Sequence, residues 1–163
     1  MTLDEFFVAL KATPFATAIL EGETLFPWIE SFHVLAIVIV VGTISIIDMR
    51  LIGLPAHRKS LRRLMKDVLP LTWGAFAIAV LTGFLLFSSQ PAKYWALWEF
   101  KAKMVLLVLA GLNMAYFHVI TFRSVHLWDE LAETPRAAKI AGITSLFLWV
   151  GVVTFGRIIG FVL

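Results

Sequence analysis

The chain has 163 residues, of which 60% are hydrophobic and only 15% are charged, and its mean hydropathy is +0.90. Soluble domains carry about a quarter of charged residues, so this composition excludes a soluble globular protein and predicts an integral membrane protein. Because there is no cysteine, disulfides, thiolate metal sites and iron–sulfur clusters are excluded. The net charge of +3 comes mostly from loops, and no nucleic acid partner is expected.

The start of the chain is predicted to form a short helix on the membrane surface. Apolar side chains recur there at helical spacing, opposite charged ones, as in an amphipathic helix at the interface. The apolar face consists of Leu3, Phe6, Phe7 and Leu10, and the charged face of Asp4, Glu5 and Lys11. Pro14 is expected to break this helix, and a second short turn follows over 16–20.

Four apolar stretches are long enough to cross a bilayer, at about 26–50, 68–89, 100–122 and 140–163. Pro70 falls in the first turn of the second span, where the missing N–H costs little. The loop before the third span is rich in aromatic residues, which are typical of the membrane interface. We therefore predict one domain: an all-α integral membrane four-helix bundle with a short N-terminal interfacial amphipathic helix.

The distribution of basic residues predicts the orientation of the spans. Nine of the fourteen lysines and arginines cluster at one end of the spans, which the positive-inside rule makes cytoplasmic. They are Arg50, Arg58, Lys59, Arg62, Arg63, Lys66, Arg123, Arg136 and Lys139. His57 and His126 fall in the same loops. The expected location is a bacterial inner membrane, with several passes and with both termini on the outer, periplasmic side.

Several polar residues are predicted to share one level in the outer half of the membrane. A rise of about 1.5 Å per residue places His33, Lys103 and Arg157 there, with Glu30 nearer the surface. Arg157 should point inward, because a charge near the middle of a span costs several kcal/mol. The alternative is that it extends over the last turn to the outer surface.

A second polar level is predicted in the inner half, where His118 lies near Thr72 and Trp73 of the second span. A neutral histidine in lipid surroundings is a natural axial ligand for haem iron. His33 and His118 differ in depth by roughly 17 Å, so they cannot bind the two faces of one haem. The alternative for each is an interhelical hydrogen bond, worth about 1 kcal/mol.

Three segments carry a resemblance to known families: WIESFHVLAIVIVVGTISIIDMRLIG, LPLTWGAFAIAVLTGFLLF and FKAKMVLLVLAGLNMAYFHV. On these the chain resembles, over essentially its whole length, small bacterial four-helix membrane proteins known only as a domain of unknown function. It is more distantly similar to haem-biosynthetic membrane protoporphyrinogen oxidases and copper-resistance D-type proteins, at His33, Gly42, Arg50 and Lys103. The oxidase resemblance implies haem b, with His33 as its ligand and Lys103 close by.

The functional expectation is a protein that binds haem b or another porphyrin in the outer half of the bundle, with His33 as ligand. Arg157 and Lys103 would balance the negative charge of the propionates or of a substrate. Glu30, Trp73 and His118 complete the set of residues expected to bind the cofactor. His118 would in addition be the metal ligand of a second, inner site. The activity would be electron transfer or porphyrin or quinone redox chemistry, as in a haem-dependent membrane oxidoreductase. The expected partners are the lipid bilayer, a quinone or a redox protein, and a second copy of the chain.

Two other functions remain open. In the first, the protein is a non-enzymatic accessory subunit or small carrier, whose buried polar residues only hold the helices together. In the second, it is a copper permease, which we rank lower because the five methionines are scattered along the chain.

Overall fold

The computed structural model describes residues 2–54, 60–129 and 134–162. The predictions for His57, Arg58, Lys59 and the last residue of the fourth span fall outside these ranges. Every regular element in the described residues is helical, and no strand occurs among them. The all-α prediction is therefore confirmed.

Four long apolar helices could each cross a bilayer, with mean hydropathies between 1.9 and 2.3. They are α3 (Leu25–Ile52), α4 (Leu61–Ser89), α6 (Trp98–Tyr116) and α8 (Arg136–Val162). A π-helical turn (Phe117–Thr121), a 3-10 turn (Phe122–Ser124) and α7 (Val125–Trp128) continue α6. The 28 residues of α3 span about 42 Å at about 1.5 Å each, more than the ~30 Å of a hydrocarbon core. This is a multi-pass membrane bundle, as predicted.

Three short helices lie at one end of the bundle, called the outer end here: α1 (Leu3–Lys11), α2 (Pro14–Glu21) and α5 (Pro91–Ala96). A capping box starts α1, in which the Thr2 hydroxyl accepts from the Glu5 N–H and the Glu5 carboxylate accepts from the Thr2 N–H. Phe7 packs against Phe87 and Trp95, with ring centroids 6.0 Å apart in both pairs. These contacts attach α1 to the ends of α4 and α5.

The second spanning helix begins earlier than predicted, at Leu61 and not near Val68. Its first two turns are amphipathic: Leu61, Leu64 and Met65 are buried in the core, which leaves the basic side chains exposed on the other face. Arg62, Arg63 and Lys66 thus belong to α4 and not to a loop. Pro70 consequently lies well inside the helix.

The four spans form an open arrangement. In the described residues, α3 packs along both α4 and α8, and α6 packs along α8, whereas no extended packing joins α4 to α6. At the outer end this open side is closed by Phe87 and Phe100, whose rings stack at 5.3 Å. Farther in, α4 and α6 flank a cavity.

At the opposite, inner end, Asp129 holds the start of α4. Its carboxylate accepts from the Ser60 hydroxyl at 2.6 Å and from the backbone N–H of Leu61. Buried Arg50 donates to the Asp129 carbonyl at 3.1 Å and to the Thr134 hydroxyl at 3.3 Å. One aspartate therefore joins α3, α4 and the segment after α7.

Candidate functional site

In the outer half, His33 makes a hydrogen bond from α3 to α4. Its Nδ1 lies 3.0 Å from the Thr82 hydroxyl oxygen. The imidazole packs against Gly83, where an added Cβ would lie only 2.9 Å from the His33 Cε1. Gly83 is thus required by the close approach of this ring.

The surrounding hydrogen bonds favour one tautomer of His33. The Thr82 hydroxyl donates to the Ile78 carbonyl at 2.7 Å, so its oxygen accepts from the His33 Nδ1–H. In the neutral ring Nε2 then carries no hydrogen and offers a lone pair. Histidines that bind metals commonly have this pattern, with the other ring nitrogen donating to a protein oxygen.

The structure brings Lys103 and Glu30 to the same half of the bundle as His33. Lys103 is half-buried and close enough to His33 to act on it electrostatically. A methyl group at Gly156 would lie 3.8 Å from the Lys103 Nζ, and one at Gly160 would lie 3.8 Å from the Glu30 Oε1. Both side chains therefore reach the glycine face of α8.

Tyr94 on α5 covers this level from the outer end. It is buried, and its ring packs against Phe87 and Phe100. Burial, together with the nearby Glu30 carboxylate, raises the pKa of Tyr94 to about 12. The phenol is thus neutral at physiological pH.

The prediction that Arg157 points inward is wrong. Its side chain is exposed, and its guanidinium carbon lies 4.5 Å from the centroid of the Phe161 ring. Arg157 is close to the outer end of α8, so its long side chain runs along the last turn and avoids the cost of burying its charge. It therefore does not join His33 and Lys103 in the interior.

In the inner half, the structure brings His118, Trp73 and Thr72 to one cavity of about 270 Å³. This matches the level that the helical rise predicts for them. Asp48 and Asn113 line the same cavity and were not included among the predicted site residues. Asp48 lies close to the basic end of its apolar stretch, and an asparagine in a span is as readily an interhelical contact as a ligand contact.

Hydrogen bonds also define the polar groups of this cavity. His118 Nδ1 lies 2.9 Å from the Met114 carbonyl, which can only accept, so Nδ1 carries the hydrogen and Nε2 is an acceptor. The Asn113 amide nitrogen donates to the Ala141 carbonyl at 3.0 Å, which leaves its Oδ1 as an acceptor. His118 belongs to the π-helical turn, a local widening that often occurs at functional sites.

Within the described ranges, no three histidine, aspartate or glutamate side chains come together as a metal-binding group. A metal held by several protein ligands therefore has no candidate position there. A haem needs only one or two axial ligands from the protein, and each span histidine offers one.

Comparison with known proteins adds no family to this picture. No family model, no curated protein and no solved structure matches the chain. The resemblance to four-helix membrane proteins stays a prediction, and function has to be inferred from the two polar levels of this membrane bundle.

Proposed function

We propose that the protein binds haem b, or another porphyrin, in the outer half of the bundle and takes part in electron transfer or in porphyrin or quinone oxidation and reduction. His33 would be the axial ligand. When bound, the haem would supply one-electron chemistry, and the protein would supply ligation and the local field. The proposed setting is a bacterial inner membrane, with both termini on the periplasmic side.

The observation that carries this proposal is the hydrogen bond between the His33 Nδ1 and the Thr82 hydroxyl. The Nδ1–H of His33 is held by Thr82, so Nε2 is the nitrogen available to iron. The ring is held against Gly83, which restricts its orientation. An imidazole that is oriented by a second residue is a better ligand than one that rotates freely.

The charge of Lys103 supports the same proposal. This side chain is half-buried in a span, and no hydrogen bond or ion pair to it is formed by the described residues. An unpaired amine in such a place is costly and usually marks a functional site. A haem propionate would supply the opposite charge that Lys103 lacks.

A second candidate function is favoured by the same hydrogen bonds. His33–Thr82, Thr72–Thr43 and Asn113–Ala141 each join two helices. Such bonds stabilise a membrane bundle even when no ligand is present. In this alternative the protein is a non-enzymatic accessory subunit or a small carrier.

The test is a reduced-minus-oxidised visible spectrum of protein purified in mild detergent from haem-supplemented cells. We expect a Soret band and an α-band near one haem per chain, and we expect His33→Ala to abolish both. His126→Ala is the matched control, because this histidine is exposed at the inner end and should leave the spectrum unchanged. Lys103→Met should keep the bands but weaken haem retention on dilution.

Two results would reject the proposal. The first is a featureless spectrum from folded protein, and the second is an unchanged spectrum in His33→Ala. If His33→Ala only lowers the melting temperature and no chromophore copurifies, the accessory-subunit function replaces this one.

A further inference from the structure

The cavity in the inner half has the form of a site that takes its ligand from the bilayer. Its volume of about 270 Å³ is close to the lower end of small-molecule pockets, about 300–1,000 Å³. Trp73 on α4 and Met114 on α6 both line it, yet they are 51% and 38% exposed. In the described residues these two helices have no extended packing with each other. The cavity is therefore reached sideways, between α4 and α6, from the lipid phase.

The walls of the cavity suit an aromatic ring. Trp73, Phe76 and Trp149 contribute large rings, and most of the other lining side chains are aliphatic. Aromatic pairs in stacked or edge-to-face arrangements add roughly 0.5–1.5 kcal/mol to the effect of burial. A lipid-soluble molecule with one flat ring fits these walls.

Three polar side chains of the cavity offer hydrogen-bond acceptors, beside the hydroxyl groups of Thr72 and Ser145. Asp48 lines it, is only 4% exposed, and its Oδ2 has no hydrogen-bond partner in the described residues. The Nε2 of His118 and the Oδ1 of Asn113 are acceptors whose neighbouring nitrogens already donate elsewhere. A buried polar atom without a partner is expensive, so a bound molecule that donates hydrogen bonds would be stabilised here.

From these observations we propose that the inner cavity binds a lipid-soluble hydroquinone, whose two hydroxyl groups donate hydrogen bonds to Asn113 and His118, while Asp48 lines the same cavity. The flat ring of a hydroquinone fits the aromatic walls, and its hydroxyl groups donate to the acceptors. Its apolar tail can leave the cavity through the opening between α4 and α6. A lipophilic cation would use the Asp48 carboxylate but would gain less from two neutral acceptors. Within the proposed redox function, this hydroquinone would be the redox partner of the protein. Its binding to the inner cavity does not require haem at His33.

The test uses the full chain, free of haem, in lipid nanodiscs, with tryptophan fluorescence as the readout. The probes are a benzoquinol with a decyl tail, kept reduced, and its dimethyl ether, which has the same ring and tail but no hydroxyl donor. We expect the quinol to bind at least about tenfold more tightly than the ether. This comparison needs no variant, so it is decisive even if a substitution prevents folding.

Variants then assign the hydrogen bonds. Asn113→Leu and His118→Phe should each weaken quinol binding about five- to tenfold and leave the ether unaffected. His126→Phe is the matched control, since it replaces an exposed histidine that does not line the cavity. Trp73→Phe should remove much of the fluorescence response, which would locate the probe.

Three results would overturn this proposal. One is equal affinity for the quinol and the ether, and another is unchanged quinol binding in folded His118→Phe. The third is binding of tetraphenylphosphonium, but not of the quinol, that Asp48→Asn abolishes, which would assign the cavity to lipophilic cations. A haem-free protein that binds the quinol would support this site even if the haem proposal fails.

Discussion

Asp129→Ala should destabilise the bundle more than the loss of one surface carboxylate would suggest. The side chain of Asp129 lies at the start of α4, whose own N-cap residue, Ser60, makes no capping hydrogen bond with its backbone. The Asp129 carboxylate accepts from the Ser60 hydroxyl at 2.6 Å, from the Leu61 N–H and, more weakly, from the Arg62 N–H at 3.4 Å. A residue 68 positions farther along the chain thus caps this helix.

The magnitude follows from these bonds. Hydrogen bonds to a charged group contribute about 1.5–3 kcal/mol each, and loss of a helix cap costs about 1 kcal/mol. Only two of the three bonds are short, so we expect a loss of about 2–4 kcal/mol. The contact between Arg50 and Asp129 uses the backbone carbonyl and survives the substitution. For a chain of this size the melting temperature should fall by roughly 5–15 °C.

Thermal unfolding in mild detergent, followed by circular dichroism, measures this change. Asp67→Ala is the matched control, because it removes an exposed carboxylate from the same helix. Asp129→Asn should give an intermediate loss, since the amide keeps one acceptor oxygen. If Asp129→Ala melts within about 1 °C of the parent, the carboxylate contributes too little to be the cap of α4.

Three further predictions concern the outer half. Gly83→Ala should push the His33 ring away from α4, because the new Cβ would lie 2.9 Å from that ring. The free energy of unfolding should fall by about 1–3 kcal/mol, which a lower melting temperature would report. An unchanged melting temperature would contradict this packing. Tyr94 should ionise near pH 12, and Glu30→Gln should lower its pKa, which the ultraviolet absorption of tyrosinate reports. Since the folded pKa of Tyr94 is above the ordinary value of about 10, its ionisation should destabilise the fold progressively from pH 10 to 12; an ordinary pKa in the folded protein would argue against its burial. Arg157→Ala should change the free energy of unfolding by at most about 1 kcal/mol in chemical denaturation, because the side chain is exposed and contacts only the Phe161 ring. A larger loss would indicate that Arg157 points into the bundle.

Hydropathy predicted the number of spanning helices because a bilayer imposes its thickness on every one of them. It did not predict where α4 begins. The residues around Arg62 and Lys66 are as basic as a cytoplasmic loop, and their helical state depends on a cap from Asp129 that is distant in sequence. The cap itself leaves no signal in the sequence. The helical spacing of Leu61, Leu64 and Met65 was visible there, but the basic composition of the segment favoured a loop.

The inner cavity was partly predictable for a similar reason. The regular rise of a helix was enough to place His118 at the level of Thr72 and Trp73. The depth of a residue in the membrane does not tell in which direction its side chain points around the helix axis. Depth alone therefore could not show that Asp48 and Asn113 also line this cavity. The same lack of rotational information led to the wrong orientation for Arg157, whose neighbour Gly156 occupies the inward face.

The packing order of the four spans has a consequence for biosynthesis. α3 and α4 can pair as soon as both have entered the bilayer, but α6 has its main partner in α8, the last span to be made. Until α8 inserts, Lys103 lacks the Gly156 face against which it packs, and Asn113 lacks the Ala141 carbonyl to which it donates. A chain truncated before α8 leaves these two polar side chains without their partners in the membrane, so we expect it to be degraded faster than the full chain.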